Sequence, residues 1–154
     1  MADVLTPELR RLNMSRVRGK NTKPEMLVRR GLHARGFRFR LQRRDLPGRP
    51  DIILPSRKVA LFVHGCFWHG HDCRLFQMPA TRPDFWRGKI TANKRRDTAA
   101  VHDLGNLGWR VGIVWECALR GNRRLSSQVV FDQLVDFITG SDLQIVIRGA
   151  DDGE

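Results

Sequence analysis

With 154 residues, 41% of them hydrophobic, the chain is long enough to bury one sizeable core and too short for two full domains. Lys and Arg outnumber Asp and Glu by 28 to 16, and the net charge of +12 indicates a polyanionic partner, with nucleic acid the first candidate. The sequence shows neither a signal peptide nor an apolar run of about 20 residues, which predicts a soluble cytoplasmic protein. We expect a single domain over residues 1–154.

The positive charge is concentrated in the N-terminal third. Residues 1–50 contain 14 Lys and Arg against 4 Asp and Glu, whereas residues 51–154 contain 14 against 12. A solvated basic face and a basic membrane-binding surface are the alternatives. The asymmetry favours contacts with phosphates, and such binding weakens with salt by a log–log slope of about −0.9 per phosphate.

Two helices are predicted in the first 35 residues. A Thr-Pro pair at the start of residues 6–18 is typical of a helix N-terminus, and the rest of that segment is rich in arginine. Thr22 and Glu25 have the spacing of a capping box, which predicts a second helix over residues 22–35 that stops at Gly36. Capping already gives Glu25 an adequate structural role.

Three short strands are predicted next. Residues 37–42 alternate Phe-Arg-Phe-Arg-Leu-Gln, the period-2 pattern of a strand with one apolar and one basic face. Residues 51–54 and 58–64 are apolar runs separated by Pro-Ser-Arg. Asp51 therefore begins one strand, and His64 ends the next.

Helices and strands alternate in the second half of the chain. A long helix is predicted over residues 83–106, a central strand over 109–115 and a last helix over 126–139. The last helix carries four apolar residues at helical spacing, expected as core contacts: Val129, Val130, Leu134 and Phe137. Residues 151–154 are expected to fray. Without a Gly-rich phosphate loop or internal repeat, the pattern predicts an α/β fold with a mixed central sheet flanked by helices.

Three of the five histidines and two of the three cysteines lie within residues 63–73. Sulfur and imidazole donors so close together are typical of a Zn²⁺ site. Four residues make a plausible tetrahedral set: Cys66, His71, Cys73 and Cys117. Four protein ligands leave no position for water, so this zinc ion would be structural. Buried free cysteines with a surface histidine are the alternative.

If the zinc ion is structural, Asp51, His64 and His69 are available for catalysis. A carboxylate beside histidines can hold Mg²⁺, although a turn-capping aspartate and a satisfied core histidine are equally ordinary interpretations. Phe67 and Trp68 lie between the metal-binding residues, and a metal loop does not require them. They either pack in the core or contact a partner.

Five segments form a pattern that covers much of the chain. They are residues 46–51 (Leu-Pro-Gly-Arg-Pro-Asp), 62–69 (Phe-Val-His-Gly-Cys-Phe-Trp-His), 79–82 (Pro-Ala-Thr-Arg), 107–110 (Leu-Gly-Trp-Arg) and 114–121 (Val-Trp-Glu-Cys-Ala-Leu-Arg-Gly). In order and spacing this pattern closely resembles the very short patch repair (Vsr) DNA mismatch endonucleases. The C-terminal residues match the family only loosely.

The resemblance implies a restriction-endonuclease-like fold and a precise reaction. Members nick duplex DNA on the 5′ side of the thymine in a T·G mismatch, the product of 5-methylcytosine deamination, with Mg²⁺ as catalytic and Zn²⁺ as structural cofactor. A DNA cytosine-5 methyltransferase and downstream repair proteins are implied as functional partners, and association with the nucleoid as the working location. A nick at an asymmetric mismatch does not require a dimer, so a monomer is expected.

The family's catalytic residues match five positions of this sequence. Asp51 matches the catalytic aspartate and would hold Mg²⁺, and His69 would be the general base, oriented by Asp97. His64 would stabilise the phosphate or the leaving group, and Glu25 would hold a metal-bound water.

Other matching positions concern zinc, DNA and the backbone at the magnesium site. The family's zinc ligands match the four Cys and His residues named above, and its intercalating wedge matches Phe67 and Trp68, with Met14 entering from the other groove. The arm formed by residues 1–21 would contact the DNA backbone through Arg10, Arg11, Arg16 and Arg18. Val63, where many members have threonine, would offer its backbone carbonyl to Mg²⁺.

Two other functions are compatible with the same sequence. A zinc-stabilised mismatch-binding protein without cleavage explains the charge, the wedge and the zinc ligands, but not Asp51, His64 and His69. A nuclease of another specificity would act on a different mispair or on a flap.

Overall fold

The computed structural model describes residues 21–41 and 43–150 of the chain. Its strands are β1 (Arg40–Leu41), β2 (Ile52–Leu54), β3 (Val59–His64), β4 (Arg110–Trp115) and β5 (Gln144–Ile147). Its helices are α1 (Lys23–Ala34), α2 (Pro83–Asn106), α3 (Glu116–Leu119) and α4 (Ser127–Thr139), with a 3-10 turn at Pro55–Arg57. No helix in these two ranges is long and apolar enough to span a bilayer.

The strands form one sheet in the order β1-β2-β3-β4-β5. The first three are antiparallel neighbours, whereas β3, β4 and β5 run parallel. The prediction of a mixed sheet is therefore confirmed. In the β3–β4 register His64 lies opposite Trp115, so both strands end at the same edge of the sheet. The segments that follow each strand meet at this edge.

The two faces of the sheet bury separate cores. The strand residues alternate between them because successive side chains of a strand point to opposite faces. On one face Leu61 and Val63 pack with residues of α1 and α4, and on the other Ala60 and Phe62 pack with the C-terminal half of α2. Gly31 of α1 has a specific reason to lack a side chain, because a Cβ there would overlap the ring of Phe131.

Most predicted elements are confirmed with small changes at their ends. Thr22 caps α1, and its side chain accepts a hydrogen bond from the Glu25 backbone N–H at 3.3 Å. The long helix has the predicted bounds. Ser126 caps α4 through the Val129 backbone N–H at 3.2 Å.

Two expectations were wrong or incomplete, and two elements were not predicted. The strand predicted over residues 37–42 is reduced to β1, although Phe37 and Phe39 still pack against the first core. Val129 is 41% exposed and is not a core residue, because the buried stripe of α4 passes through its neighbours Val130 and Phe131. The sequence pattern did not predict β5, a short edge strand with an exposed Val146, or the single-turn helix α3.

Several predictions concern residues outside the described ranges. They include the helix over residues 6–18, the fraying of residues 151–154 and the DNA contacts of the arm residues Met14, Arg10, Arg11, Arg16 and Arg18.

Candidate active site and metal centre

The predicted site residues converge on the edge of the sheet where β3 and β4 end. The loop after β3 carries three members of the group of potential zinc ligands, here called the Cys/His group, and the short helix after β4 carries the fourth, Cys117. Glu116, the first residue of that helix, holds the loop because its carboxylate accepts the Cys66 backbone N–H at 3.0 Å. Glu116 is itself paired with Arg120 at 2.9 Å.

Cys66, His71, Cys73 and Cys117 form one group whose potential ligand atoms all lie within 4.8 Å of one another. The His71 Nδ1 atom is 3.6 Å from the Cys66 sulfur and 3.5 Å from the Cys117 sulfur. Ordinary Zn–N and Zn–S bonds at a tetrahedral angle put these atoms about 3.6 Å apart. Burial raises the pKa of both thiols, so a bound cation is needed to stabilise their thiolates at neutral pH. This arrangement can hold a metal ion.

Residues near the C-terminal end of β5 support the Cys/His group from outside. The Gly149 backbone N–H donates to the Cys117 sulfur at 3.3 Å, and the His71 Nε2 atom is 3.6 Å from an Asp72 carboxylate oxygen. Arg148 holds that carboxylate at 2.9 Å. At 3.6 Å the Asp72 carboxylate makes no hydrogen bond with His71, but it places a negative charge behind the ring.

His64, His69 and Asp97 form a second group beside the first. The His69 Nδ1 atom is 2.5 Å from an Asp97 carboxylate oxygen, as the sequence-based orientation of His69 requires. The rings of His64 and His69 are stacked, with centroids 3.8 Å apart and planes 7° from parallel. Asp97 reaches this position from the middle of α2, which crosses the second face of the sheet.

His64 is a buried, neutral histidine. It is 4% exposed, and burial followed by the proximity of His69 lowers its pKa to about 3. Among the described residues its Nδ1 atom has no hydrogen-bond partner, and its Nε2 atom is 4.0 Å from Asp97, beyond hydrogen-bond distance. A buried polar atom without a partner is costly, which makes this nitrogen a candidate donor or acceptor for a bound ligand.

Asp51 does not begin the strand as predicted but immediately precedes β2, and its backbone N–H still donates to the Leu61 carbonyl of β3, the strand that carries His64. Its carboxylate accepts the Val63 backbone N–H at 2.7 Å. Burial raises the pKa of Asp51 to about 7, the Val63 hydrogen bond opposes this rise, and nearby Glu25 adds to it. A buried carboxylate next to a second acid is the electrostatic environment that a hard cation with oxygen ligands stabilises.

Glu25 and Arg29 form a buried ion pair on α1. The Glu25 residue is only 3% exposed, so its side chain contributes to the interior as well as to the helix N-terminus. Arg29 also donates to the Asn21 side chain at 2.7 Å. The guanidinium group therefore fixes Glu25 and partly balances the negative charge near Asp51.

Phe67 and Trp68 belong to a larger group of aromatic rings beside the catalytic candidates. Their centroids are 5.2 Å apart, and Trp86 lies 5.4 Å from Phe67 and 5.8 Å from Trp68. Phe76 and the 45% exposed Phe85 extend the group. Asn93 donates to the Trp68 carbonyl at 2.9 Å and so ties this loop to α2.

The sequence analysis missed four residues of this region: Arg29, Trp86, Trp115 and Glu116. The i, i+4 spacing of Glu25 and Arg29 was a readable signal for an ion pair. No local pattern identifies Trp86, which contacts Phe67 only because the N-terminus of α2 folds back over the loop. The contacts of Trp115 and Glu116 depend on the parallel register of β3 and β4.

Comparison with known proteins gives a consistent result over most of the chain. Residues 2–75 match the family model described as DNA mismatch endonuclease Vsr. The DNA mismatch endonuclease Vsr of Escherichia coli strain K12 is 44% identical over 140 residues, which are 91% of this chain and 90% of that protein. The Type II nicking enzyme V.XorIIP of Xanthomonas oryzae pv. oryzae is 57% identical over 119 residues, 77% of this chain and 88% of the relative.

Proposed function

Because the chain belongs to the Vsr family of DNA mismatch endonucleases, we propose that it nicks duplex DNA on the 5′ side of the thymine in a T·G mismatch. The observation that carries this proposal is the group of His64, His69 and Asp97 beside the buried carboxylate of Asp51. A protein that only bound mismatches would have no use for a histidine–carboxylate pair next to a second, electrostatically costly acid. The product of this reaction would initiate very short patch repair of deaminated 5-methylcytosine.

Asp51 and the backbone carbonyl of Val63 are the groups that would hold Mg²⁺. Both are hard oxygen donors, the kind that Mg²⁺ prefers, and a bound cation would favour the charged form of Asp51, whose pKa burial raises to about 7. When bound there, Mg²⁺ would supply charge neutralisation at the scissile phosphate and an acidified water. Glu25, fixed by Arg29, would orient water on the α1 side of the site.

His69 is the proposed general base. Asp97 holds its Nδ1 atom, which leaves Nε2 free to accept a proton from the attacking water. The same carboxylate stabilises the imidazolium that results. Because burial keeps His64 neutral, it would act through an N–H hydrogen bond to the phosphate or to the leaving oxygen, not as a cation.

The aromatic rings are the proposed mismatch wedge. Phe67 and Trp68 would enter the base stack beside the mispair, where unstacking costs less than in paired DNA. Trp86 belongs to the same wedge by its contacts with both rings. Met14 would insert from the opposite groove, and arginines of the arm over residues 1–21 would contact phosphates: Arg10, Arg11, Arg16 and Arg18.

We further propose that Zn²⁺ occupies the Cys/His group as a structural ion and that the fold is of the restriction-endonuclease type. Residues 1–154 would form a single endonuclease domain that acts as a monomer. A DNA cytosine-5 methyltransferase would create the precursor of the lesion, and downstream repair proteins would process the nick.

The test is nicking of end-labelled duplexes that contain one T·G mismatch, in varied flanking sequence, with Mg²⁺ or EDTA. Wild type, Asp51→Ala and the control Asp103→Ala, an exposed acid of α2, are compared. We expect Mg²⁺-dependent cleavage 5′ to the thymine by wild type and the control only. Cleavage of C·G or A·T duplexes at the same rate would overturn the T·G specificity, and retained activity in Asp51→Ala would overturn the role of Asp51.

A further inference from the structure

We propose that Trp115 is a positioning residue that couples the Cys/His group to the catalytic histidines. Its indole ring lies between the two groups and orients His64 and His69. The inference rests on the proposed catalytic role of these two histidines. It adds a residue that belongs to neither of the two groups of potential ligands.

Trp115 contacts all three histidines of the region. Its ring is stacked on His71, with centroids 3.9 Å apart and planes 11° from parallel. Its ring also meets His64 edge-on at 5.2 Å and 70°, and His69 at 6.3 Å and 75°. One side chain therefore joins a residue of the Cys/His group to both members of the stacked histidine pair.

His64 depends on these ring contacts for its orientation. Its Nδ1 atom has no hydrogen-bond partner in the described part of the chain, and its Nε2 atom is 4.0 Å from Asp97. The ring is instead packed among Phe62 at 5.4 Å, His69 at 3.8 Å and Trp115. Among the described residues, ring packing and not hydrogen bonding therefore fixes the orientation of this imidazole.

The other side of Trp115 is fixed by the Cys/His group. His71 would bind the ion through Nδ1, which would fix the plane of its imidazole, and the indole of Trp115 is stacked parallel to that ring. The backbone supports the same geometry, because the next residue, Glu116, accepts the Cys66 backbone N–H at 3.0 Å. The loop after β3, the end of β4 and the indole ring are thus fixed relative to one another.

A space-filling role would predict a different response to substitution. If Trp115 only filled volume, its loss would lower stability and weaken the metal site, the DNA complex and catalysis together. A positioning role predicts a loss in the cleavage step with mismatch binding preserved, since the wedge rings are not among the rings it contacts. It also predicts that a smaller flat ring at position 115, such as phenylalanine, preserves more activity than a flexible side chain of similar volume, such as methionine.

The first experiment compares Trp115→Phe and Trp115→Met as zinc-loaded full chains. Single-turnover nicking, mismatch affinity and bound zinc are measured for each. Trp109→Phe and Trp109→Met are the controls, because Trp109 immediately precedes the same strand but lies about 20 Å away, in the core on the second face.

We expect the methionine substitution at Trp115 to slow nicking by about 10- to 100-fold, because small displacements of catalytic groups have effects of this size. Mismatch affinity should stay within about twofold and zinc should be retained, while Trp115→Phe should nick within about threefold of wild type. An unchanged rate in Trp115→Met would refute the proposal. Equal losses of rate, affinity and zinc, or the same rate loss in Trp109→Met, would also refute it.

A second experiment does not depend on the folding of a variant. Zinc is exchanged for the larger Cd²⁺ in the wild-type chain, and the histidine ring signals are recorded by NMR with ¹³C-labelled imidazoles. We expect the signals of His64 and His69 to shift with the metal, and those of the exposed His33 and His102 to stay unchanged. Unmoved signals of His64 and His69 would refute the coupling. Where Trp115→Met folds, an equally large shift in that variant would show that the indole does not carry it.

Failure of this proposal can be distinguished from failure of the proposed function. Nicking by wild type and its loss in His69→Ala test the catalytic role of the histidines directly. If His69→Ala nicks at the wild-type rate, the proposed function is wrong in its general base. If His69→Ala is inactive and Trp115→Met is fully active, only the positioning role is wrong.

Discussion

Two groups of polar side chains meet at the loop after β3. They differ in how many of their polar atoms have partners. In the Cys/His group, four potential ligands face one another, and Asp72, Arg148 and Gly149 support them from outside. In the His64, His69 and Asp97 group, a buried nitrogen has no partner among the described residues, and nearby Asp51 has a pKa near 7. The first group is closed and suited to stability. The second keeps a buried nitrogen atom without a hydrogen-bond partner among the described residues, and it is suited to binding and reaction.

The largest effect should follow the loss of the Cys/His group. Cys117→Ser removes one of the four potential ligands found among the described residues, and structural zinc contributes apparent energies on the order of 10 kcal/mol. We expect loss of bound zinc and a non-cooperative thermal transition. Leu143→Ser, at a 74% exposed position, is the control and should melt like wild type. A cooperative wild-type transition in metal-free Cys117→Ser would contradict a structural metal.

Substitutions in the group of His64, His69 and Asp97 should lower the nicking rate and leave the stability of the fold unchanged. Asp97→Asn weakens the orientation of His69 and the stabilisation of its imidazolium, so nicking should fall by about 10²- to 10⁴-fold. Thermal unfolding and mismatch affinity should change little. His102→Ala, on the exposed face of the same helix, provides the matched control. Normal nicking by Asp97→Asn would exclude the proposed histidine–carboxylate pair.

The aromatic group should affect recognition more than chemistry. Trp86→Ala removes a ring that contacts both Phe67 and Trp68, and base–aromatic stacking contributes about 1–3 kcal/mol. The affinity for T·G duplex relative to paired duplex should fall by about 10- to 100-fold. Trp109→Ala, in the core, should lower stability but leave that ratio unchanged. An unaltered ratio of the two affinities in Trp86→Ala would show that Trp86 is not part of the proposed wedge.

Asp51 should make the metal-free protein less stable at alkaline pH. Its folded-state pKa, about 7, is above the ordinary value of 3.8, so its contribution is fully present below pH 3.8 and is lost as the pH rises through 7. Asp51→Asn keeps an acceptor for the Val63 N–H without the charge. The variant should therefore match wild type near pH 4 and exceed it by a few kcal/mol at pH 8, as measured by urea unfolding in EDTA. Equal stabilities of wild type and Asp51→Asn at pH 8 would show that the charged carboxylate does not destabilise the fold.

Val63→Thr should have the smallest effect. The side chain of Val63 is 9% exposed and packs in the first core, while its backbone N–H contacts Asp51. A buried hydroxyl should cost about 1 kcal/mol of stability, and nicking should stay within about twofold because the proposed contact of Val63 with Mg²⁺ uses its backbone carbonyl and not its side chain. A large gain in nicking by the threonine variant would show that the family's hydroxyl has a catalytic role.

Local sequence signals determined the elements and the types of chemistry in this protein. Thr22 and Ser126 marked helix starts, the apolar run before His64 marked a buried strand, and the density of Cys and His in one loop indicated a group that could hold a metal ion. These features are readable because capping, side-chain alternation and ligand chemistry act over a few residues. The Vsr-like motifs extended this reading to the reaction.

Tertiary structure decided which of these residues meet. The parallel register of β3 and β4 places Trp115 opposite His64, and α2 brings Asp97 to His69 across 28 positions of the chain. Neither contact has a local signature, because a strand pattern specifies an alternation of faces but not a partner or a register. The strand β5 was missed because it is short and its outward-facing Val146 is apolar, so its sequence lacks the polar–apolar alternation that its burial follows. The sequence supplied the chemical groups, and long-range packing determined their distances, burial and pKa values.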